Sequence, residues 1–440
     1  MIEPRILKGF RDYSSMIMIP KKEIINGLEK VFERFGFVPI DTPALEYTEI
    51  LLGKGGGETD KQIYRFTDDG GRDIALRYDL TVPLARFVSE HYSELVFPFK
   101  RYHIAPVWRG EKPQKGRFRE FYQCDFDILG SNSVNADLEI LLVIKYGLDL
   151  IGAGNFTINI NNRKIVNAVL KKFNLENKSP ELLRTIDKIY KIGYDNVVKE
   201  LIEIGFDKGI VESILKMLSF TNYEKISITG DEIFKALERI KSELPAESHN
   251  SVDHLINIFI ILKDMGVLGN FAFNPAITRG LDYYTGVVFE TFIDDRLNFG
   301  SVCSGGRYDN LTGLYSKNVV SGVGASFGLD RLLSLLEDKN LLEKKATKTD
   351  VIVFNLTDNY TSKYYTLIKE LQKADINCEF IFEKNKIGNQ FKYAERKSVK
   401  YVLIAGEEEF SLGKFNLKNI VTGEEKKALS VDEIAKIIKG

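Results

Sequence analysis

The residues best suited to chemistry crowd into one stretch of this chain, positions 108–127, where Arg109, Glu111, Arg117, Arg119, Phe121, Gln123 and Asp127 lie close together. Two strand-like arms flank a basic turn that contains Pro113 and Gly116. Successive side chains of a strand point to opposite faces, and a turn between two arms pairs them as a hairpin. Arg109, Glu111, Arg119, Phe121, Gln123 and Asp127 share odd parity, which makes them candidates for one floor. Guanidinium forks suit phosphate oxygens, a flat ring suits adenine, and carboxylate or amide oxygens accept from amines. The set therefore has the donors and acceptors that ATP and an amine-bearing substrate require. A solvated charged hairpin has the same composition, because charge runs usually face water.

Such a floor needs elements around it. From Pro20 the apolar residues Ile24, Leu28, Val31, Phe32 and Phe35 recur at helical spacing, with the proline in a first-turn position and Gly36 as a stop. The extended run 37–40 follows, and Pro39 and Pro43 mark it as an edge or interface strand. Segments 73–76, 99–107, 117–126, 156–160, 287–292 and 301–304 read as further strands. Many are joined by turns rather than helices, which favours an antiparallel sheet. Between 164 and 268 the pattern turns to helical periods such as Leu182, Ile186 and Ile189, as in an inserted helical module. Charged residues break the periodicity over 336–350, and a boundary is expected near Lys345. Beyond it strands at 351–356, 378–382 and 401–405 alternate with helices at 364–371 and 390–396, which predicts a small α/β domain with a largely parallel sheet. The expected division is a core over 1–163 and 269–338, a helical insertion over 164–268, a linker over 339–348 and a last domain over 349–440.

Bulk properties set limits. A chain of 440 residues that is 44% hydrophobic and 28% charged buries more than one core. Its formal net charge of −1 announces no polyanionic partner, so any nucleic-acid contact must come from local patches. Cys124, Cys303 and Cys378 are scattered and odd in number, which excludes a disulfide framework and suits a reducing cytosol. The four histidines, His91, His103, His249 and His254, form no triad-like or metal-binding motif, so no protein-bound metal or prosthetic group is expected. The longest apolar run, 258–262, is far short of the about 20 residues that span a bilayer. A soluble cytoplasmic protein is expected.

A family resemblance sharpens this reading. The 108–127 run resembles the hairpin motif of class II aminoacyl-tRNA synthetases, and Pro113 to Arg117 followed by Gln123 is similar to its histidine-specific form. Three more segments agree in order. Arg77, Tyr78, Asp79, Leu80, Thr81, Val82 and Pro83 resemble the amino-group loop. Arg279, Gly280, Leu281, Asp282, Tyr283, Tyr284, Thr285 and Gly286 resemble the histidine-binding signature of the histidyl-tRNA synthetase family. The stretch 322–331, ending on Arg331, resembles the third class motif, and Pro43 falls where the first motif places a dimer-interface proline. The likeness covers nearly the whole chain. It implies an α/β protein whose α+β catalytic core is an antiparallel sheet flanked by helices, with a helical insertion and a C-terminal α/β anticodon-binding domain.

The resemblance also implies roles. Arg109 grips the ATP α-phosphate and the histidine carboxylate, Arg331 the γ-phosphate and Arg117 the outer phosphates, while Phe121 stacks on adenine and Glu111 accepts from its amine. Asp79, Leu80, Thr81 and Gln123 receive the α-amino group, with Asp127 and Tyr284 bracketing the imidazole and Tyr283 forming pocket wall. Arg279 contacts histidine and the α-phosphate, and with Arg109 is the catalytic pair. Mg²⁺ accompanies ATP. Gln114, Lys115 and Arg117 meet the acceptor end of tRNA(His), and the segment 388–396 resembles an anticodon-binding domain, with Lys384, Lys386, Lys392, Arg396, Lys397 and Lys400 as a local basic cluster. A homodimer is implied. Plainer readings stand beside these: Asp79 as a capping residue, Gly305 and Gly306 as a simple turn before Tyr308, and Cys124 as a buried small hydrophobe. Asp79-Leu80-Thr81, where many bacterial members have Glu-Gly-Thr, resembles the eukaryotic-like branch. The main alternative is a catalytically silent, histidine-binding regulatory paralogue, which typically lacks the last domain.

Overall fold

A computed structural model of the chain describes residues 1–53, 62–186, 188–218, 227–277 and 284–440. They fall into two compact units, Met1–Arg11 with Ile24–Leu342, and Asp12–Glu23 with Glu343–Gly440. The helical insertion is not separated from the first unit.

The first unit is built on a nine-stranded sheet. Its strand order is Val38–Pro39, Phe99–Trp108, Glu120–Leu129, Gly322–Gly328, Cys303–Tyr308, Val287–Ile293, Phe156–Asn162, Phe271–Phe273 and Ile228–Thr229. Neighbours are antiparallel except where Val38–Pro39 runs parallel to Phe99–Trp108 and Phe156–Asn162 parallel to Phe271–Phe273. Chain-adjacent strands joined by turns favour this arrangement, and the proline-marked strand sits at the edge, where a missing N–H breaks no ladder.

The long hairpin organises everything else. Phe99–Trp108 and Glu120–Leu129 pair without a slip from Phe99 opposite Leu129 to Trp108 opposite Glu120. Even-numbered residues near its middle pack toward the core: Phe126 stacks on Phe32 of the helix Ser15–Arg34 at 5.0 Å between ring centroids and lies 5.5 Å from Phe327. Each fully buried Phe contributes ~1.5–3 kcal/mol, enough to fix which face is inward. Odd-numbered residues are left to the other face, away from this aromatic stack. The helix Val134–Ile151 covers the core side, capped by the Ser133 hydroxyl, which accepts from Asn135 N. The opening helix starts at Ser15, so Pro20 lies inside it rather than at its first turn.

The insertion carries seven α-helices among its described residues, from Arg163–Lys172 to His249–Asp264, yet it is not wholly helical. Its segment Ile228–Thr229 pairs with Phe271–Phe273 and adds an edge strand to the large sheet. Two residues are too few to show an alternation in sequence.

The second unit has a five-stranded sheet in the order Cys378–Phe380, Val351–Val353, Tyr401–Ile404, Phe415–Asn419, Glu425–Leu429. The first three strands are parallel, as their alternation with helices predicts, and the last two are antiparallel. Glu425–Leu429 escaped notice because, apart from its half-buried last residue, it is exposed and charged, an edge strand with no apolar period. The helix Ile387–Arg396 is tied down by Gln390, which is 1% exposed. Gln390 donates to Asn355 O at 2.8 Å and Asn385 O at 2.9 Å, and its Oε1 accepts from Asn355 N. This glutamine is structural.

Candidate active site

The odd residues of Glu120–Leu129 open onto a cavity of about 290 Å³. Phe121, Gln123, Asp125 and Asp127 form its floor. Asp79 and Thr81 border it from the start of the helix Thr81–Glu90, Arg109, Glu111 and Arg117 from the hairpin turn, and Arg331 from the first turn of the helix Leu329–Asp338. Tyr284, Tyr308 and Ser326 complete the walls.

The strand Gly322–Gly328 makes room for this floor. Gly324 stands opposite Asp127, and a Cβ there would lie 1.9 Å from Asp127 Oδ1. A Cβ on Gly322 would lie 2.3 Å from the Tyr308 ring. With both positions bare, the Tyr308 hydroxyl donates to Asp127 Oδ1 at 2.6 Å. Arg101, fully buried beneath, forms an ion pair with Asp127 Oδ2 at 2.6 Å.

Acidic groups dominate this inner end. Burial pushes the Asp125 carboxyl up to about 7, partly offset by Arg101 and reinforced by Asp127. Asp79 is pushed up to about 6 by burial, against the pull of its bond from Val82 and of Arg109 and Arg101. Asp127 is also raised by burial, with Arg101 and Tyr308 opposing. Water has been removed and no cation has fully replaced it. Asp79 divides its two oxygens between two tasks. Oδ1 accepts from Val82 N at 3.1 Å and caps the helix, whereas the buried Oδ2 has no partner. Gln123 is oriented by Ser326: its Nε2 donates to the hydroxyl at 3.1 Å, leaving Oε1 buried and unpartnered.

The outer end is cationic. Arg109 Nε donates to Tyr78 O at 2.9 Å, and its guanidinium lies 5.1 Å from the centroid of Phe121. Arg331 donates to Ser301 O and is pushed down to about 10, chiefly by burial and then by Arg117. Arg117 pairs loosely with Glu111 at 3.9 Å. A polyanion entering here would relieve the crowding of like charges. Beyond the cavity the turn closes through Gln114 N to Arg117 O at 3.1 Å and Arg117 N to Gln114 O at 2.9 Å, with Gly116 at φ 73°. Lys115 reaches across to Asp338 and lies 5.1 Å from the Phe299 centroid.

The structure thus brings Asp79, Thr81, Arg109, Glu111, Arg117, Phe121, Gln123, Asp127, Tyr284 and Arg331 to one cavity. Leu80 is not on its wall: the side chain is fully buried with Ala105 and Val107. Arg119 leaves the expected floor, donating to Glu111 O at 3.2 Å and Lys8 O at 3.3 Å, because the strand begins only at Glu120 and the alternation does not reach it. Gln114 and Lys115 sit at the turn tip and do not line the cavity. Arg279 and Tyr283 lie outside the described residues. Sequence reasoning passed over Asp125, although its parity matched, and also over Arg101 and Ser326, which face the site only through cross-strand pairing.

Comparisons with known proteins match both units. A family model described as histidyl-tRNA synthetase matches residues 9–332, and one described as an anticodon binding domain matches residues 350–440. The histidine–tRNA ligase of Treponema denticola is 49% identical over 403 residues, spanning 92% of this chain and 89% of that protein. The histidine–tRNA ligase of Wolinella succinogenes is 42% identical over 442 residues, spanning 100% of this chain and 99% of that one. The crystal structure of histidyl-tRNA synthetase from Nostoc sp. PCC 7120 superposes with a TM-score of 0.89 at 31% identity, covering 100% of this chain and 99% of that one.

Proposed function

The chain belongs to the histidyl-tRNA synthetase family and is an aminoacyl-tRNA ligase, and on that premise we propose how its cavity joins L-histidine to tRNA(His) at the expense of ATP. The observation that carries the proposal is the polarity of one cavity: unpartnered acceptors at its inner end, guanidinium groups at its outer end. Histidine enters with its ammonium and imidazole toward the acceptors, and ATP lies along the arginines.

Asp79, Thr81 and Gln123 hold the ammonium. Asp127, fixed by Tyr308 and Arg101, takes one imidazole nitrogen and Tyr284 the other. An analogue without those groups leaves buried oxygens unpaired, which a site of this kind rejects by roughly 10⁴-fold. Phe121 stacks on adenine when the Arg109 guanidinium shifts to the α-phosphate, Glu111 accepts from the adenine amine, and Arg117 and Arg331 take the outer phosphates. Arg279 adds positive charge at the α-phosphate. A histidine carboxylate oxygen then attacks the α-phosphorus in line, the bond to the bridging oxygen breaks, and pyrophosphate leaves. Positioning and electrostatics supply the acceleration, and no protein nucleophile is involved. In the second step the terminal ribose hydroxyl of the tRNA attacks the adenylate carbonyl and AMP departs.

Mg²⁺ enters with ATP as part of the substrate; Glu111 and Glu290, carboxylates close to Arg331, are donors of the type it takes. Gln114, Lys115 and Arg117 face the acceptor end, and the 349–440 domain reads the anticodon, with 1–163 and 269–338 as the catalytic core, 164–268 as the insertion and 339–348 as the linker. The exposed Val38–Pro39 edge and Pro43 support a homodimer, which a solution mass twice 50.1 kDa would establish. Three free cysteines, and the lack among the described residues of any helix long and apolar enough to cross a membrane, support a cytoplasmic place of action.

ATP–pyrophosphate exchange, run with each amino acid in turn, tests the proposal. Exchange with histidine alone is expected. Histidine binding without exchange would assign the chain to the silent regulatory class instead.

A further inference from the structure

Asp125 has no part in the roles above, yet its side chain lines the cavity between Gln123 and Asp127 on the same face of the strand. It is 2% exposed, and its Oδ1 is buried without a partner. Two other cavity acceptors are in the same condition, Asp79 Oδ2 and Gln123 Oε1. A buried acceptor left unpaired costs free energy, so a native site that keeps three of them has a donor to receive.

The Ser326 side chain links two of the three. It accepts from Gln123 Nε2 at 3.1 Å and faces the Asp125 carboxylate on the neighbouring strand, where Ser326 and Asp125 are register partners. A hydroxyl has one proton, so accepting from Gln123 leaves that proton for Asp125. The arrangement leaves Gln123 Oε1 and Asp125 Oδ1 both without a partner. An ammonium has three N–H donors and no acceptor, which matches three orphaned acceptors. An imidazole ring offers at most two, and Asp127 already stands at its end of the floor.

We propose that Asp125 is a substrate-binding residue, the third acceptor of the histidine α-ammonium with Asp79 and Gln123, and that Ser326 is a positioning residue that sets the Gln123 amide. This rests on the histidine-activating reading above and revises one contact of it, with Asp125 in the place given there to Thr81.

Calorimetry with two ligands separates the possibilities. The probes are histidine and 3-(imidazol-4-yl)propionate, which keeps the ring and carboxylate but lacks the amine. Asp125→Asn keeps the volume and removes the charge; histidine is expected to bind about ten- to a hundredfold more weakly, as for loss of a hydrogen bond to a charged group, while the des-amino compound binds as it does to the wild type. Ser326→Ala, which keeps both acceptors but frees the amide, is expected to weaken histidine alone by a smaller factor. Equal weakening of both ligands in the two variants, or unchanged histidine binding, overturns the assignment while leaving wild-type exchange intact. A wild type that binds neither ligand overturns the histidine-activating reading itself.

Discussion

The inner floor of the cavity and the tip of the hairpin turn belong to one continuous motif but are held by opposite means. Asp79, Asp125 and Asp127 are 1–2% exposed, stripped of water and short of partners. Lys115 is 68% exposed at the side chain and satisfied by an ion pair with Asp338. Desolvation makes a missing bond expensive at the floor, so substitutions there should change which ligand binds. At the tip water replaces any lost partner, so substitutions should touch only what docks from outside.

The largest effect is expected between the two regions, where phosphates would lie. Arg331→Gln removes a charge whose proton affinity is already lowered by burial and by Arg117. Pyrophosphate exchange should fall by about 10²–10³ in kcat, as when a preorganised charge-stabilising donor is lost, with histidine Kd unchanged. A parallel loss of histidine affinity would merge the two regions. Next, Gly324→Ala forces a methyl into the space of Asp127 Oδ1. Overpacking of this kind costs about 1–3 kcal/mol, and the lower unfolding midpoint should come with loss of histidine binding while ATP binding survives.

A pH dependence should appear at the floor and not at the tip. Asp125 and Asp79 titrate at about 7 and about 6 in the empty pocket, above the ordinary 3.8. The folded state therefore holds protons that the unfolded chain has released, and this stabilising contribution, complete below about 4, is lost as pH rises through 6 to 7. Groups facing Asp125 include Arg77, Asp79, Arg101, His103, Asp127, Tyr284 and Cys303, so the comparison must be with Asp125→Asn rather than with theory. Relative to that variant, the wild type should lose thermal stability between pH 5 and 7.5 and regain it with histidine. Matching profiles would remove Asp125 from the linkage. The smallest effect is expected from Gln114→Ala: adenylate formation unchanged, charging of tRNA slowed. Equal loss in both steps would refute a role confined to the acceptor end.

Much of this was legible before any fold was known. The odd parity of Phe121, Gln123 and Asp127 survives because an unbroken hairpin preserves alternation, whereas Arg109 and Glu111 reach the cavity from the turn beyond the paired strands. Arg119 failed the same rule at the point where the strand has not yet begun, and Leu80 failed because a loop residue between two site residues is as free to face the core. The plain reading of Asp79 and the functional one were not rivals, since capping uses one oxygen and leaves the other.

By itself the sequence determined the residue types, their order along the chain and the periodicity that separates core from site face, because these depend on neighbours a few positions away. Only the tertiary structure decided that Tyr308 meets Asp127, that Gly324 clears the space for it, and that Ser326 stands opposite Asp125 and accepts from Gln123. Those facts depend on register between strands about 200 positions apart in sequence, and on burial that removes the water which would otherwise satisfy each group.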